Sequence, residues 1–293
     1  MQFELSYQGY TAVIESHGGE LISFKDREGK EYIWSGDPAF WFGRNPLLFP
    51  IVGNLKEGTV KFGETAYQMS RHGFARDQEF KAVEQSADRI IMELQESEVT
   101  LARYPYPFKL QVIQQLLDGG FSTTFRVENT GNQKMPFCIG AHTAFRCPMK
   151  EGETFEEYDI VFDEKETVDL RRLTAEGLVS HELTEPFLKE EDRYSLNYDI
   201  FARIDTIVLE GLKSQGISLE HRDNGKGLRM EFEGFPMLAF WTKGVEQAPF
   251  ICLEPWHGCA AVDNETGNFE DKPHCMVLQP GEVKTLTYTV TVK

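Results

Sequence analysis

Two histidines and one glutamate stand out in this sequence, because each lies in a segment of otherwise apolar, aromatic or small residues. These residues are His72, His142 and Glu254. If the three segments converge, they place two imidazoles and a carboxylate in one aromatic-walled cleft. Imidazole titrates near neutral pH and a carboxylate is a competent base, so this set suits proton transfer to and from a neutral polyol. The sequence lacks the features needed for hydride transfer, phosphoryl transfer or nucleic-acid recognition.

Each of these residues also has a simpler structural explanation. His72 would then be an ordinary loop or strand histidine, and His142, between small and aromatic neighbours, a hydrogen-bonded core residue. Glu254 is the hardest to explain in this way, because a carboxylate buried without a partner costs several kcal/mol.

The elements that must position these side chains are β-strands. Apolar residues alternate with polar or small ones in Leu110–Val112, Phe121–Val127 and Leu286–Val292. A period of two is typical of half-buried antiparallel strands. The other predicted strands are Thr11–Glu15, Arg89–Leu94, Glu157–Phe162, Thr206–Glu210, Leu228–Phe232 and Met237–Trp241.

Turn residues separate these runs, and Asp223–Gly227 in particular predicts a hairpin, since Asn and Gly tolerate positive φ. Helical signal is confined to Asp37–Phe42 and Thr184–Asp192, and the charged stretch Lys189–Arg193 is interpreted as a solvated loop. With roughly eighteen candidate strands and short turns, the sequence predicts one all-β domain over residues 1–293, built from two large packed sheets.

Composition excludes several classes of partner. The 293 residues carry a formal net charge of −17, which repels nucleic acid and anionic membranes. No window reaches transmembrane length, and Met1–Glu4 does not begin a signal peptide, so a cytoplasmic protein is expected.

The five cysteines are odd in number and lie mostly in apolar contexts, which favours reduced, buried thiols. There is no Cys-x-x-Cys pair, and Cys252 with His257 is weak evidence for zinc. We therefore expect no metal, no cofactor and no disulfide.

Several motifs, in order along nearly the whole chain, resemble the aldose 1-epimerase (galactose mutarotase) superfamily, and its LacX-like branch in particular. They are Asn45–Gly53, Lys56–Gly58, His72–Asp77, Tyr104–Phe108, Met135–His142, Ala248–Trp256 and Leu278–Glu282. The resemblance implies a galactose mutarotase-like β-supersandwich. It also implies an isomerase with an open cleft, in which the α and β anomers of a hexose interconvert without a cofactor.

The resemblance also assigns roles to individual residues. Glu254 corresponds to the family's general base, His142 to the presumed acid, and His72 to the histidine of the family's His-Gly pair. Asp205 is a looser match to an aspartate that holds sugar hydroxyls. Trp241 lies where the family places a residue lining the sugar site.

One departure concerns a basic residue. The family usually carries an arginine where this chain has Asn54, so a sugar-contacting guanidinium is missing from its expected place. Arg44, Arg71 and Arg76 are the candidates to supply that charge from a neighbouring strand.

Several alternatives remain open. The resemblance implies a small-molecule sugar as substrate, either a plain hexose or a hexose 6-phosphate, which Arg71 and Arg76 could serve because arginine suits phosphate. A non-catalytic sugar-binding or regulatory protein of the same fold is the second alternative. A glycosidase would want two carboxylates across the scissile bond, and a lyase a basic groove. The oligomeric state is expected to be monomer or homodimer.

Overall fold

The computed structural model describes residues 1–293, and nearly all of its regular structure is β-strand. The two short α-helices are α1 (Glu98–Leu101) and α2 (Tyr198–Ile204). The strands are β1 (Gln2–Tyr7), β2 (Tyr10–Glu15), β3 (Glu20–Lys25), β4 (Thr59–Phe62), β5 (Thr65–Gln68), β6 (Lys81–Gln85), β7 (Arg89–Gln95), β8 (Phe108–Leu117), β9 (Gly120–Asn129), β10 (Met135–Phe137), β11 (Ile139–Gly140), β12 (Thr143–Arg146), β13 (Tyr158–Leu173), β14 (Val179–Ser195), β15 (Thr206–Glu210), β16 (Gly216–His221), β17 (Gly227–Glu231), β18 (Met237–Trp241), β19 (Phe250–His257), β20 (Met276–Leu278) and β21 (Val283–Val292).

Two large antiparallel sheets form the framework. The larger has nine strands in the order β14-β13-β16-β17-β21-β9-β8-β7-β6, and the smaller has five, in which β19 pairs with β11, β12 and β18, and β18 with β15. Three small sheets complete the fold: β1-β2-β3, β4-β5 and β10-β20. The all-β prediction is therefore confirmed.

Strand β19 is the element that carries the site, and both of its faces are buried. Ile251 and Leu253 point into the main hydrophobic core. Phe250 and Cys252 belong to a second, smaller cluster that also contains Trp34. Because side chains alternate along a strand, Glu254 shares the face of Phe250 and Cys252 rather than that of the main core.

Both helix predictions were wrong. Thr184–Asp192 lies within β14, and so does the charged stretch Lys189–Arg193 that was interpreted as a loop. Strand β14 is the edge of the nine-stranded sheet, and most of its side chains are exposed, so it lacks an alternating apolar pattern. Residues Asp37–Phe42 form a turn, in which the Trp41 amide donates to the Asp37 carbonyl at 2.9 Å.

The predicted hairpin at residues 223–227 joins β16 to β17, as expected. No helix has the length and apolar character that a bilayer crossing would require.

Candidate active site

Glu254, His142 and His72 meet at one cavity, although they lie far apart in sequence. Glu254 is in β19, His142 follows β11, and His72 lies in a turn after β5. The five-stranded sheet brings the first two together, because β11 and β12 both pair with β19 on either side of His142. All three side chains are buried.

Glu254 and His142 form a close pair. Nε2 of His142 lies 3.4 Å from Oε2 of Glu254, slightly longer than a normal hydrogen bond. Burial raises the pKa of the Glu254 carboxyl well above its ordinary value, and burial also lowers the pKa of His142 to about 3. Both shifts favour the uncharged forms, with the acidic proton on the carboxyl. Moving that proton to His142 gives a carboxylate and an imidazolium without changing the net charge of the pair.

His72 is fixed by the backbone. His72 has a positive φ of 67°, and the Gly53 amide donates a hydrogen bond to Nδ1 of its ring at 3.0 Å. The neutral ring therefore carries its proton on Nε2. Burial, then the neighbouring His142, lowers the pKa of His72 well below its ordinary value, and the Arg71 and Arg76 guanidiniums act in the same direction.

Arg71 is the arginine that reaches the site. It lines the cavity beside Glu254 and also an adjacent outer cavity. Its Nε lies 3.1 Å from Nε2 of His72. A neutral imidazole accepts at only one nitrogen, so this hydrogen bond competes with the one from Gly53, and the exposed end of the guanidinium is available to a ligand.

Of the three candidate arginines, the structure does not bring Arg44 or Arg76 to the cavity. Neither lines either cavity. The Nε of Arg44 donates to the Ser35 carbonyl at 2.9 Å, and the guanidinium of Arg76 donates to the Arg71 carbonyl at 3.0 Å. Both side chains thus bind loop backbone. The charge of Arg76 nevertheless lowers the pKa values of His72 and His142.

Aromatic residues enclose His142. Its ring lies 5.0 Å from that of Trp41 and 5.5 Å from that of Trp241, measured between centroids. The indole of Trp241 lines the cavity and donates to Oδ1 of Asp205 at 3.3 Å, while Thr206 donates to Oδ2 at 2.8 Å. Asp205 itself lines the outer cavity rather than the inner one.

Two tryptophans of the site were missed by sequence reasoning. Trp41 lay within a segment with helical signal, and Trp256 was named only as the end of the motif Ala248–Trp256. Trp256 lines the cavity. Its Nε1, both carboxyl oxygens of Glu254 and Nδ1 of His142 are buried without a hydrogen-bond partner of normal geometry. The indole N–H is still near enough to oppose the effect of burial on the pKa of Glu254. Its position two residues after Glu254, on the same strand face, was the available signal.

The cavity is more closed than the predicted open cleft. The space beside Glu254 has a volume of about 30 Å³, which is room for one water molecule. Gly177 lines it, together with Leu173 and Val179, which end β13 and begin β14. Gly177 belongs to the turn of residues 174–178 that joins these two strands, here named the covering turn. The outer cavity beyond that turn has a volume of about 500 Å³.

Asn54 holds the covering turn. Its Nδ2 donates to the Glu176 carbonyl at 3.2 Å. A Cβ added to Gly177 would lie 2.6 Å from the same nitrogen, so the turn packs directly on this side chain. Asn54 therefore lines both cavities while binding protein backbone.

A group of potential metal ligands was not anticipated. His142, Cys252 and Glu254 each offer one ligand atom, and these atoms lie within 4.8 Å of one another. A thiol binds zinc as thiolate, but burial, and then the charge of Glu254, raises the pKa of Cys252 well above its ordinary value. That the site works without metal stays a prediction.

Comparisons with known proteins show similarity along the whole chain. The family model described as aldose 1-epimerase matches residues 1–291. The plasmid and chromosomal LacX proteins of Lactococcus lactis subsp. lactis are each 36% identical over 299 residues, which cover 100% of this chain and 99% of theirs.

Solved structures show the same fold. A galactose mutarotase related enzyme from Lactobacillus acidophilus has a TM-score of 0.95 at 26% identity, covering 100% of this chain and 97% of that one. A galactose mutarotase-like protein from Lactobacillus casei has a TM-score of 0.88 at 26% identity, with 100% of both chains covered. The resemblance found in the sequence is thereby confirmed, and this chain belongs to the aldose 1-epimerase family.

Proposed function

We propose that the protein is an aldose 1-epimerase that interconverts the α and β anomers of a hexose. The observation that carries the proposal is the buried pair of Glu254 and His142, whose polar atoms face a small cavity without full hydrogen bonds. Buried polar groups are normally hydrogen-bonded, so the hydroxyl groups of a bound sugar would supply the missing partners.

The reaction opens and recloses a hemiacetal. Once a proton has moved from the Glu254 carboxyl to His142, Glu254 accepts the proton of the anomeric hydroxyl and His142 donates one to the ring oxygen, so the ring opens to the aldehyde. Rotation about the C1–C2 bond and the reverse transfers close the ring on the other face. Both reacting oxygens are bonded to C1, so two groups 3.4 Å apart can serve both. Each well-placed acid or base typically contributes roughly 10²–10⁴-fold.

The remaining residues position the sugar. His72 is proposed to donate from Nε2 to a sugar oxygen, since Gly53 occupies its Nδ1. Trp241, held by Asp205, offers an aromatic face to the apolar side of the ring. Arg71 is proposed to take the place of the guanidinium missing at Asn54, because it lines the inner cavity.

Sugar entry requires movement of the covering turn. Sites for small molecules typically have volumes of about 300–1,000 Å³, far above the roughly 30 Å³ beside Glu254. Displacing the turn would join this space to the outer cavity of about 500 Å³. The Asn54 bond to Glu176 is then one of the contacts that opening must break.

A hexose 6-phosphate is the second candidate, favoured by the arginines of the outer cavity. Arg71, Arg172 and Arg203 line it, and Nε of Arg172 is buried without a partner. Against this, Glu185 binds both Arg172 and Arg203, which leaves Arg71 as the uncompensated cation. We therefore place the plain hexose first.

The test is NMR exchange spectroscopy on equilibrated glucose and galactose and on their 6-phosphates, with and without protein. The proposal predicts faster exchange between the anomers of a neutral hexose. Acceleration of the 6-phosphates alone would select the second candidate. Saturable binding of sugar without any acceleration would identify a binding protein instead.

A further inference from the structure

Two of the five cysteines face each other across a strand pair away from the active site. Strands β10 and β20 are antiparallel, with Phe137 opposite Met276. The next position in this register places Cys138 opposite Cys275. Side chains that oppose each other in an antiparallel pair point to the same side, so the two thiols are neighbours.

The backbone geometry at this position suits a cross-strand bond. The Cys138 amide donates to Pro50 at 2.8 Å and the Cys275 amide to Lys272 at 3.1 Å, so neither bonds the opposite residue. Pairs that do not exchange backbone hydrogen bonds have Cα atoms about 4.5 Å apart and the closer side chains. That separation lies within the range that a disulfide spans.

The surroundings give the two sulfurs different accessibility. Cys275 is partly exposed, whereas the other four cysteines are buried. Contact with the Cys275 thiol, and then burial, raises the pKa of the Cys138 thiol well above its ordinary value. The buried ammonium of Lys272, 3.5 Å from Oε2 of Glu265, acts in the opposite direction and favours the Cys138 thiolate.

We propose that Cys138 and Cys275 are a modification site, at which a peroxide-class oxidant forms a reversible disulfide. Hydrogen peroxide transfers one oxygen to the exposed Cys275 sulfur, giving a sulfenic acid and releasing the first water on protonation. The Cys138 sulfur then attacks that sulfur, the S–O bond breaks, and the second water leaves with the Cys138 proton. Two thiols are oxidised and one peroxide is reduced to two waters.

The bond would have a structural consequence. It would close a loop of nearly half the chain and fasten the segment before β20 to the segment that leads into β11. Cross-links of this kind raise the thermal midpoint, here by roughly 5–10 °C. The proposal does not depend on the proposed activity.

Cys259 is a second cysteine near Cys138 that could compete with Cys275 for the disulfide, so its substitution serves as a control. A Cβ added to the preceding Gly258 would lie 2.5 Å from Sγ of Cys138, so that sulfur packs against the Gly258–Cys259 segment. Serine at position 275 removes the proposed partner, and serine at position 259 removes the competitor. Cys275 is partly exposed, so Cys275→Ser is the milder change to the fold.

The experiment treats the reduced full chain with a small excess of hydrogen peroxide, then maps disulfide-linked peptides by mass spectrometry without reductant. We expect a Cys138–Cys275 link in the wild-type and Cys259→Ser proteins, no link in Cys275→Ser, and reversal by dithiothreitol. A thermal melt checks that each variant is folded. A dominant link to Cys259 would overturn the proposal, as would Cys275 oxidised to sulfinic acid beside a free Cys138 thiol.

Discussion

The hydrogen bond from Asn54 to the covering turn gives a prediction whose size follows from the structure. Nδ2 of Asn54 donates to the Glu176 carbonyl at 3.2 Å in a partly exposed position. A hydrogen bond of this kind contributes a net of about 0.5–1.5 kcal/mol. Asn54→Ala should therefore shift the turn toward its open form by about 2- to 12-fold.

The consequences of that shift are measurable in two ways. Amide hydrogen exchange in the covering turn should become faster by about the same factor, because exchange there follows local opening. If sugar enters only the open form, kcat/KM for anomer exchange should rise by the same factor. Val179 still donates to Ala261 at 2.9 Å, so the turn stays anchored at its base.

The matched control is Asn132→Ala, the same change at an exposed position in the turn after β9. It should alter neither quantity. Unchanged amide exchange in the covering turn of the Asn54→Ala protein, together with an unchanged kcat/KM, would refute the reasoning that Asn54 holds the turn closed over the site.

Three further predictions concern the ionisable groups. His142→Asn and His72→Asn should each slow anomer exchange by roughly 10²-fold or more. The double variant should be slowed by less than the product of the two single effects. Wild-type rates of the single variants in a polarimetric assay would indicate that the histidines have only a structural role. Glu254→Gln should raise the thermal midpoint relative to wild type. The gain should increase as pH rises above the ordinary pKa of a glutamate, because the unfolded wild-type chain ionises at Glu254 and the folded protein, with its raised pKa, does not. A pH-independent difference in thermal melts would contradict this. Dialysis against EDTA should leave the exchange rate unchanged, and a loss restored by zinc would instead assign a metal to His142, Cys252 and Glu254.

Local patterns predicted much of the fold. In β8 the alternation of Leu110 and Val112 with polar neighbours matches the alternate burial of that strand. The edge strand β14 could not be recognised, because most of its side chains are exposed and no second layer imposes a period of two. Some of its charged residues form ion pairs with the neighbouring strand β13, as Arg193 does with Asp159 at 2.7 Å.

The candidate site was predicted where an ionisable residue stood in an apolar strand context. That signal selected Glu254 and His142, which the structure places side by side, with Nε2 of His142 3.4 Å from Oε2 of Glu254. The covering turn could not be foreseen, because its packing on Asn54 joins segments more than a hundred residues apart. The position of Arg44 was missed for another reason: its Nε donates to the Ser35 carbonyl nine residues earlier, a loop contact that strand patterns do not reveal.

The central claim is that Glu254 moves the anomeric proton, and the most direct test is anomer exchange by NMR in the Glu254→Gln protein. Glutamine keeps the shape of the side chain and removes the base, so we predict exchange no faster than in buffer alone, with the fold intact by circular dichroism. Glu233→Gln makes the same chemical change at an exposed position after β17 and should keep the full rate. Wild-type exchange in a folded Glu254→Gln protein would contradict the claim.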